Sequence, residues 1–158
     1  MNNASEIFFV LVLILVNGYF AAAEIALISA RKSALMQRAD EGSKGAQTAL
    51  RMTEDPTRLL ATIQVAITLM GMLASATAAV SLAAPLQKWL ESLGMQTLSS
   101  IAPGLSVFVV TLIISYFSLV LGELVPKRLG LQKADAVAAS VARPVSFLAT
   151  IAAPVVWL

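Results

Sequence analysis

The sequence predicts an all-α membrane protein: three transmembrane helices with short juxtamembrane and interfacial helices between and after them. Three observations predict it. Of the 158 residues, 58% are hydrophobic and only 13% charged, whereas soluble domains are about a quarter charged. Three segments stay apolar over the length a helix needs to cross a bilayer, about 20 residues. The connections between them alternate between strongly basic and nearly uncharged. Backbone polar groups cannot be left bare in lipid, so each apolar segment must be helical.

The first span covers residues 7–28. It starts from "MNNASE", which carries an acid where a secretory leader carries cations, so the span is read as retained. The second covers residues 59–84 and stops at Pro85. The third covers residues 99–122, with Pro103 near its start, where proline is tolerated. The loop between the first two spans reads "RKSALMQRADEGSKGAQTALRMTEDPTR". In it Leu35, Met36, Ala39, Ala46, Ala49, Leu50 and Met52 recur at helical spacing on either side of "DEGSKG". That pattern predicts two short amphipathic helices within residues 32–56. A last apolar stretch from Pro144 is cut by Pro154 and is too short to cross. With Trp157 it reads as an interfacial helix within residues 133–158. The chain stops inside this stretch, as expected of a piece of a longer protein.

Charge placement sets orientation. The first loop carries Arg31, Lys32, Arg38, Lys44, Arg51 and Arg58, and the connection between spans two and three carries Lys88 alone. After span three come Lys127, Arg128, Lys133 and Arg143. The positive-inside rule puts the N-terminus outside and the first loop and C-terminus in the cytoplasm, in a multi-pass protein of the cell (inner) membrane. A net charge of +2, with no basic patch interleaved with aromatics, argues against a nucleic-acid partner. The absence of cysteine and histidine removes thiolate chemistry and imidazole bases. A serine–lysine hydrolase is the one catalytic alternative, and it lacks an activated base; no enzyme is expected.

Polar groups inside the spans are costly and therefore informative. The third span ends in "GELVPKRLGL". Pro126 has no amide hydrogen, so the carbonyl of Gly122 loses its i→i+4 partner. Glu123 is its neighbour in sequence. A released carbonyl beside a carboxylate is an oxygen site of the kind hard cations such as Mg²⁺, Ca²⁺ or Na⁺ prefer. Lys127, one turn later, can pair with Glu123 when no ion is held. Thr111, Ser115, Ser118 and Gly122 form a narrow polar stripe leading to that glutamate. In span one, "NGYFAAAE" sets Asn17, Ala21 and Glu24 on one helical face, and Gly18, Ala22 and Ala26 permit close helix contact. In span two, Thr68 follows Gln64 by about one turn and could add an oxygen, while Gly71, Ser75 and Ala79 make a second small-residue seam. Each feature also has a plainer reading: packing seams, a snorkelling boundary pair, a threonine bonded to its own preceding turn.

Taken together, "NGYFAAAEIALISARKSAL", "DPTRLLATIQVAITLMGML" and "GELVPKRLGLQKADAVA" resemble the membrane domain of the CNNM/CorC family, also described as HlyC/CorC or hemolysin-like proteins. The resemblance covers essentially the whole chain. It implies the CNNM/CorC transmembrane-domain fold, a homodimer in the lipid bilayer, and cytoplasmic CBS and CorC-type domains that this sequence does not contain. It also implies a link to Mg²⁺ transport, most plausibly efflux exchanged for Na⁺, although some members are argued to regulate rather than transport. A non-transporting membrane anchor and dimeriser for CBS sensor domains is therefore the alternative. On that resemblance Glu123 falls on the acidic cation ligand, with Gly122 and Pro126 in the helix break beside it, and Glu24 matches the family's span-one glutamate. The chain departs from Mg²⁺-binding members at Asn17 and Ala21, where those tend to carry serines. It departs again at Ala66, Ile67 and Thr68, where they often read G-N-N.

Overall fold

The computed structural model describes residues 3–92 and 96–156, all of them in helices or the turns between helices. In chain order they are α1 (Asn3–Ser29), α2 (Lys32–Asp40), α3 (Lys44–Met52), α4 (Pro56–Ser92) and α5 (Gln96–Leu119). A π-helical turn (Val120–Leu124) then joins α5 to α6 (Val125–Gln132), and α7 (Ala134–Val156) follows.

Local sequence explains the pair of short helices α2 and α3. The residues "DEGSKG" both stop α2 and start α3. Gly42 adopts φ +93°, the left-handed conformation glycine tolerates best. The Gly42 and Ser43 amides bond back to the carbonyls of Ala39 and Arg38, a Schellman closure of α2. Ser43 Oγ then accepts from the Ala46 amide at 3.3 Å and caps α3. Asp55 caps α4 in the same way, accepting from the Arg58 amide at 3.1 Å, with Pro56 in the first helical position.

α1 is the central helix: half of its apolar window is buried, against 11% for α4 and for the third span. At one end Val10, Leu13 and Ile14 pack on Ala74 and Ala78 of α4 and Val110 of α5. At the other, Phe20, Ala21, Ala23, Ala26 and Leu27 share a core with Leu35, Ala46, Ala49, Leu59, Ile63 and Ile67. Ala138, Val141, Ala142 and Val145 of α7 complete that core. Gly45 of α3 lies directly against the backbone carbonyl of Ala139 in α7.

Several expectations are corrected. Among the described residues four helices, not three, are by length and composition able to cross a membrane: Ala4–Ser29, Pro56–Ser92, Ile101–Gln132 and Ala134–Ile151. The sequence expectation of a short interfacial piece rests on an apolar stretch that begins only at Pro144 and is cut by Pro154. In the structure α7 is one helix that continues through Pro144 and Pro154. Its face at Ala138, Val141, Ala142 and Val145, on both sides of Pro144, is held in the core, which offsets the hydrogen bond that Pro144 removes. Trp157 lies outside the described residues. α4 likewise runs through Pro85 to Ser92 rather than stopping at 84; Pro85 is exposed near the end of the helix. Gly71 has open space beside it, so the second small-residue seam brings no helix close at that position. The buried face of α4 is instead Ile63, Ile67, Ala74 and Ala78.

Candidate functional site

The site forms where α1 meets the break in the third span. Across the break the backbone is wound one residue wider: the amide of Val125 bonds to the carbonyl of Val120, five residues back. Pro126 removes the donor that would have reached the Gly122 carbonyl in an α-helix. That carbonyl is satisfied from another span instead, accepting from Asn17 Nδ2 of α1 at 3.0 Å.

Close approach makes this bond available. A side chain on Gly122 would sit 3.1 Å from Asn17 Nδ2 and 3.3 Å from the Ile14 carbonyl. One on Gly18 would fall 2.8 Å from Pro126 Cγ, and one on Gly130 would fall 2.7 Å from the Ala22 carbonyl. The small-residue face of α1 is thus used, and its partner is the π turn with α6. The contacts Asn17–Gly122, Gly18–Pro126 and Ala22–Gly130 advance in the same sense along both segments, so α1 and the third span run parallel. Arg31 and Asp135 close the series just beyond the helix ends. Asp135 accepts from the Arg31 amide at 2.8 Å, and from its Nε and Nη2 at 3.1 and 2.8 Å.

Asn17 is 5% exposed, and its Oδ1 is buried without a protein donor. A buried acceptor left unmatched costs about 1–3 kcal/mol, so this oxygen is suited to a cation or a water. The Gly122 carbonyl keeps a second lone pair after accepting from Asn17. Further along the same helix pair, two carboxylates share one ammonium. Lys127 donates to Glu123 Oε1 at 2.8 Å and lies 3.2 Å from Glu24 Oε2. The Glu24 side chain is 15% exposed, that of Glu123 37%.

Asn17 is therefore joined to Gly122, and Lys127 to Glu24 and Glu123, along one seam between α1 and the break that contains Pro126. Ala21 is on the same face of α1 but fully buried in the apolar core. Thr68 is exposed on α4, outside this group, because the adjacent Ile67 takes the buried position. Ser115 is exposed and Ser118 half-buried, so the polar stripe before the break faces partly out of the bundle. The pairing of Lys127 with Glu123 was readable from their spacing. The links from Asn17 to Gly122 and from Lys127 to Glu24 were not, since they join residues more than a hundred positions apart. Only the shared face of Asn17 and Glu24 hinted that both meet one segment. Among the described residues no three acidic side chains gather as a metal cluster; the oxygens here are of mixed kind.

These features define a helical membrane domain organised round an oxygen-lined break in one crossing helix. The chain belongs to the CNNM family, described as the Cyclin M transmembrane N-terminal domain, which matches residues 8–158. It is similar to a UPF0053 protein of Synechocystis sp., 39% identical over 153 residues, covering 97% of this chain and 34% of that protein. It is also similar to the UPF0053 protein YhdP of Bacillus subtilis, 33% identical over 155 residues, covering 94% of this chain and 33% of that protein. A polyamine export protein of Salmonella typhimurium is 32% identical over 154 residues, covering 98% of this chain and 34% of that protein. The chain spans about a third of the length of these relatives.

Proposed function

We propose that the chain is the membrane domain of a transporter that moves Mg²⁺, as Na⁺-coupled efflux, with the ion held at the third-span break. The observation that carries this reading is the buried Asn17 Oδ1, left without a donor on the side chain that holds the Gly122 carbonyl, with Glu123 the next residue along the break. Three protein oxygens are few for Mg²⁺, but this ion usually keeps several waters in its octahedral shell. Neither Ala21 nor Thr68 belongs to the proposed ligand set. The same reading gives a homodimer in the cell membrane, N-terminus outside, coupled to cytoplasmic CBS domains in the longer protein. The basic first loop and the Arg31–Asp135 contact, which gathers that loop and the start of α7 at one end of the bundle, support this orientation.

A second reading is favoured by one observation. A primary ammonium, that of Lys127, sits between two carboxylates, and a relative is named a polyamine export protein. The terminal ammonium of a polyamine has the same chemistry. The test is flux into proteoliposomes with Mg²⁺ and with spermidine, comparing the parent with Glu123→Gln and Asn17→Ala. Mg²⁺ flux lost in Glu123→Gln and reduced in Asn17→Ala supports the first reading. Spermidine flux lost in Glu123→Gln but insensitive to Asn17→Ala supports the second. No flux of either, with folded protein, leaves the anchoring alternative and defeats both.

A further inference from the structure

Glu24 is the group the cation site does not use. It is the more enclosed of the two carboxylates, at 15% exposure against 37% for Glu123. It sits on the central helix two turns beyond Asn17, and Lys127 is the cation beside it. A carboxylate enclosed at this depth is costly unless it has a partner. Lys127 thus has two partners, one of which is the proposed ion ligand.

Resting on the cation-site reading of Glu123, we propose that Lys127 is a tethered competitor for the ion and that Glu24 receives its ammonium when the ion takes Glu123. Three features support the exchange. The ammonium carries three donors on a flexible four-carbon stem, so it can leave one acceptor while keeping the other. Its two acceptors lie 2.8 and 3.2 Å away, so the transfer requires no large movement of α6. A divalent ion at Glu123 repels an ammonium on the same carboxylate, and that repulsion is weakly screened away from bulk water. Glu24 belongs to α1, whose neighbours Ala23 and Ala26 are packed in the core, so it stays in place as the receiving group. The consequence is functional. An ion must be held tightly enough to enter and loosely enough to leave; Lys127 loosens it, and Glu24 sets by how much.

The test is Mg²⁺ affinity, by calorimetric titration of the purified full chain in lipid nanodiscs. Lys127→Met removes the competitor, and affinity is expected to rise about tenfold, the value of one charge-assisted hydrogen bond. Glu24→Gln removes the receiving group, and affinity is expected to fall by a similar factor. In the double variant the Glu24→Gln effect shrinks to within about twofold, because no ammonium remains to be received. A plain electrostatic contribution from Glu24 predicts the same loss in both backgrounds. A plain structural clamp predicts weaker binding in Lys127→Met. Either result overturns the proposal. Lys127→Gln serves if the methionine variant does not fold. Carbon-13 dimethylation of lysines, which preserves their charge, gives a readout without substitution: the Lys127 resonance moves on adding Mg²⁺ and does not move in Glu123→Gln. Parent protein whose Mg²⁺ binding is absent, or unchanged in Glu123→Gln, overturns the cation-site reading and this proposal with it. Parent binding that needs Glu123, with no gain in either Lys127 variant and a stationary lysine resonance, overturns the Lys127 role alone.

Discussion

Replacing Gly130 by alanine tests whether α1 and the third span are held by backbone-to-backbone approach. The added Cβ would lie 2.7 Å from the Ala22 carbonyl and 2.8 Å from Ile25 Cγ2. Neither is free to swing aside, since one is main chain and the other a branched side chain. Restoring ordinary contact moves α6 away from α1 by about 0.7 Å, from the 2.7 Å starting distance. Overpacking of this kind costs about 1–3 kcal/mol. Alanine also recovers about 1 kcal/mol of helix propensity over glycine, which complicates a single variant. Gly71→Ala removes that complication, because nothing lies within 4 Å of its Cβ position. The difference between the two variants is then the overpacking itself. At about 2–4 °C per kcal/mol for a chain of this length, Gly130→Ala melts about 5 °C below Gly71→Ala. Thermal unfolding of both, purified in the same detergent and followed by circular dichroism, measures it. If Gly130→Ala melts at or above Gly71→Ala, the two helices are not in the contact described.

Other substitutions probe separate links. Asn17→Ala leaves the Gly122 carbonyl without its donor at 3.0 Å and is expected to cost about 1–3 kcal/mol; Asn17→Gln, with the same amide on a longer stem, recovers only part of it in the same melt. Gly45→Ala forces α3 off the Ala139 carbonyl, and proteolysis at residues 41–43 should become faster while α1 stays protected. The Arg31–Asp135 pair is solvent-facing, with Arg31 77% exposed. A double-mutant cycle on it should show a small coupling that 1 M salt removes.

How much of this was legible depends on the kind of signal. Apolar runs report helices well, and the first span and the two short loop helices fall where the spacing puts them. Prolines misled. Pro85 and Pro154 read as stops, yet each sits inside a helix. A proline removes one hydrogen bond, and neighbouring elements or the remaining turns can outweigh that loss. Pro126 was informative because the glycine four residues earlier has no side chain to shield its carbonyl; the released oxygen was foreseeable, while its recipient on α1 was not. Thr68 shows the limit of periodicity. The spacing places a residue on a face, but which face of α4 turns inward is decided by Ile63, Ile67 and Ala74 as a set.

The wide turn at Val120–Leu124 has a further consequence. In a helix each residue advances the side-chain direction by about 100°, so an extra residue in one winding re-aims everything after it. Glu123 and Lys127 owe their view of α1 to that offset. Removing one residue from the turn ahead of Glu123 would leave composition, charge and hydrophobic length almost unchanged, yet rotate the lysine away from Glu24 on α1. The chemistry of this bundle is thus written in the phase of a helix as much as in its letters.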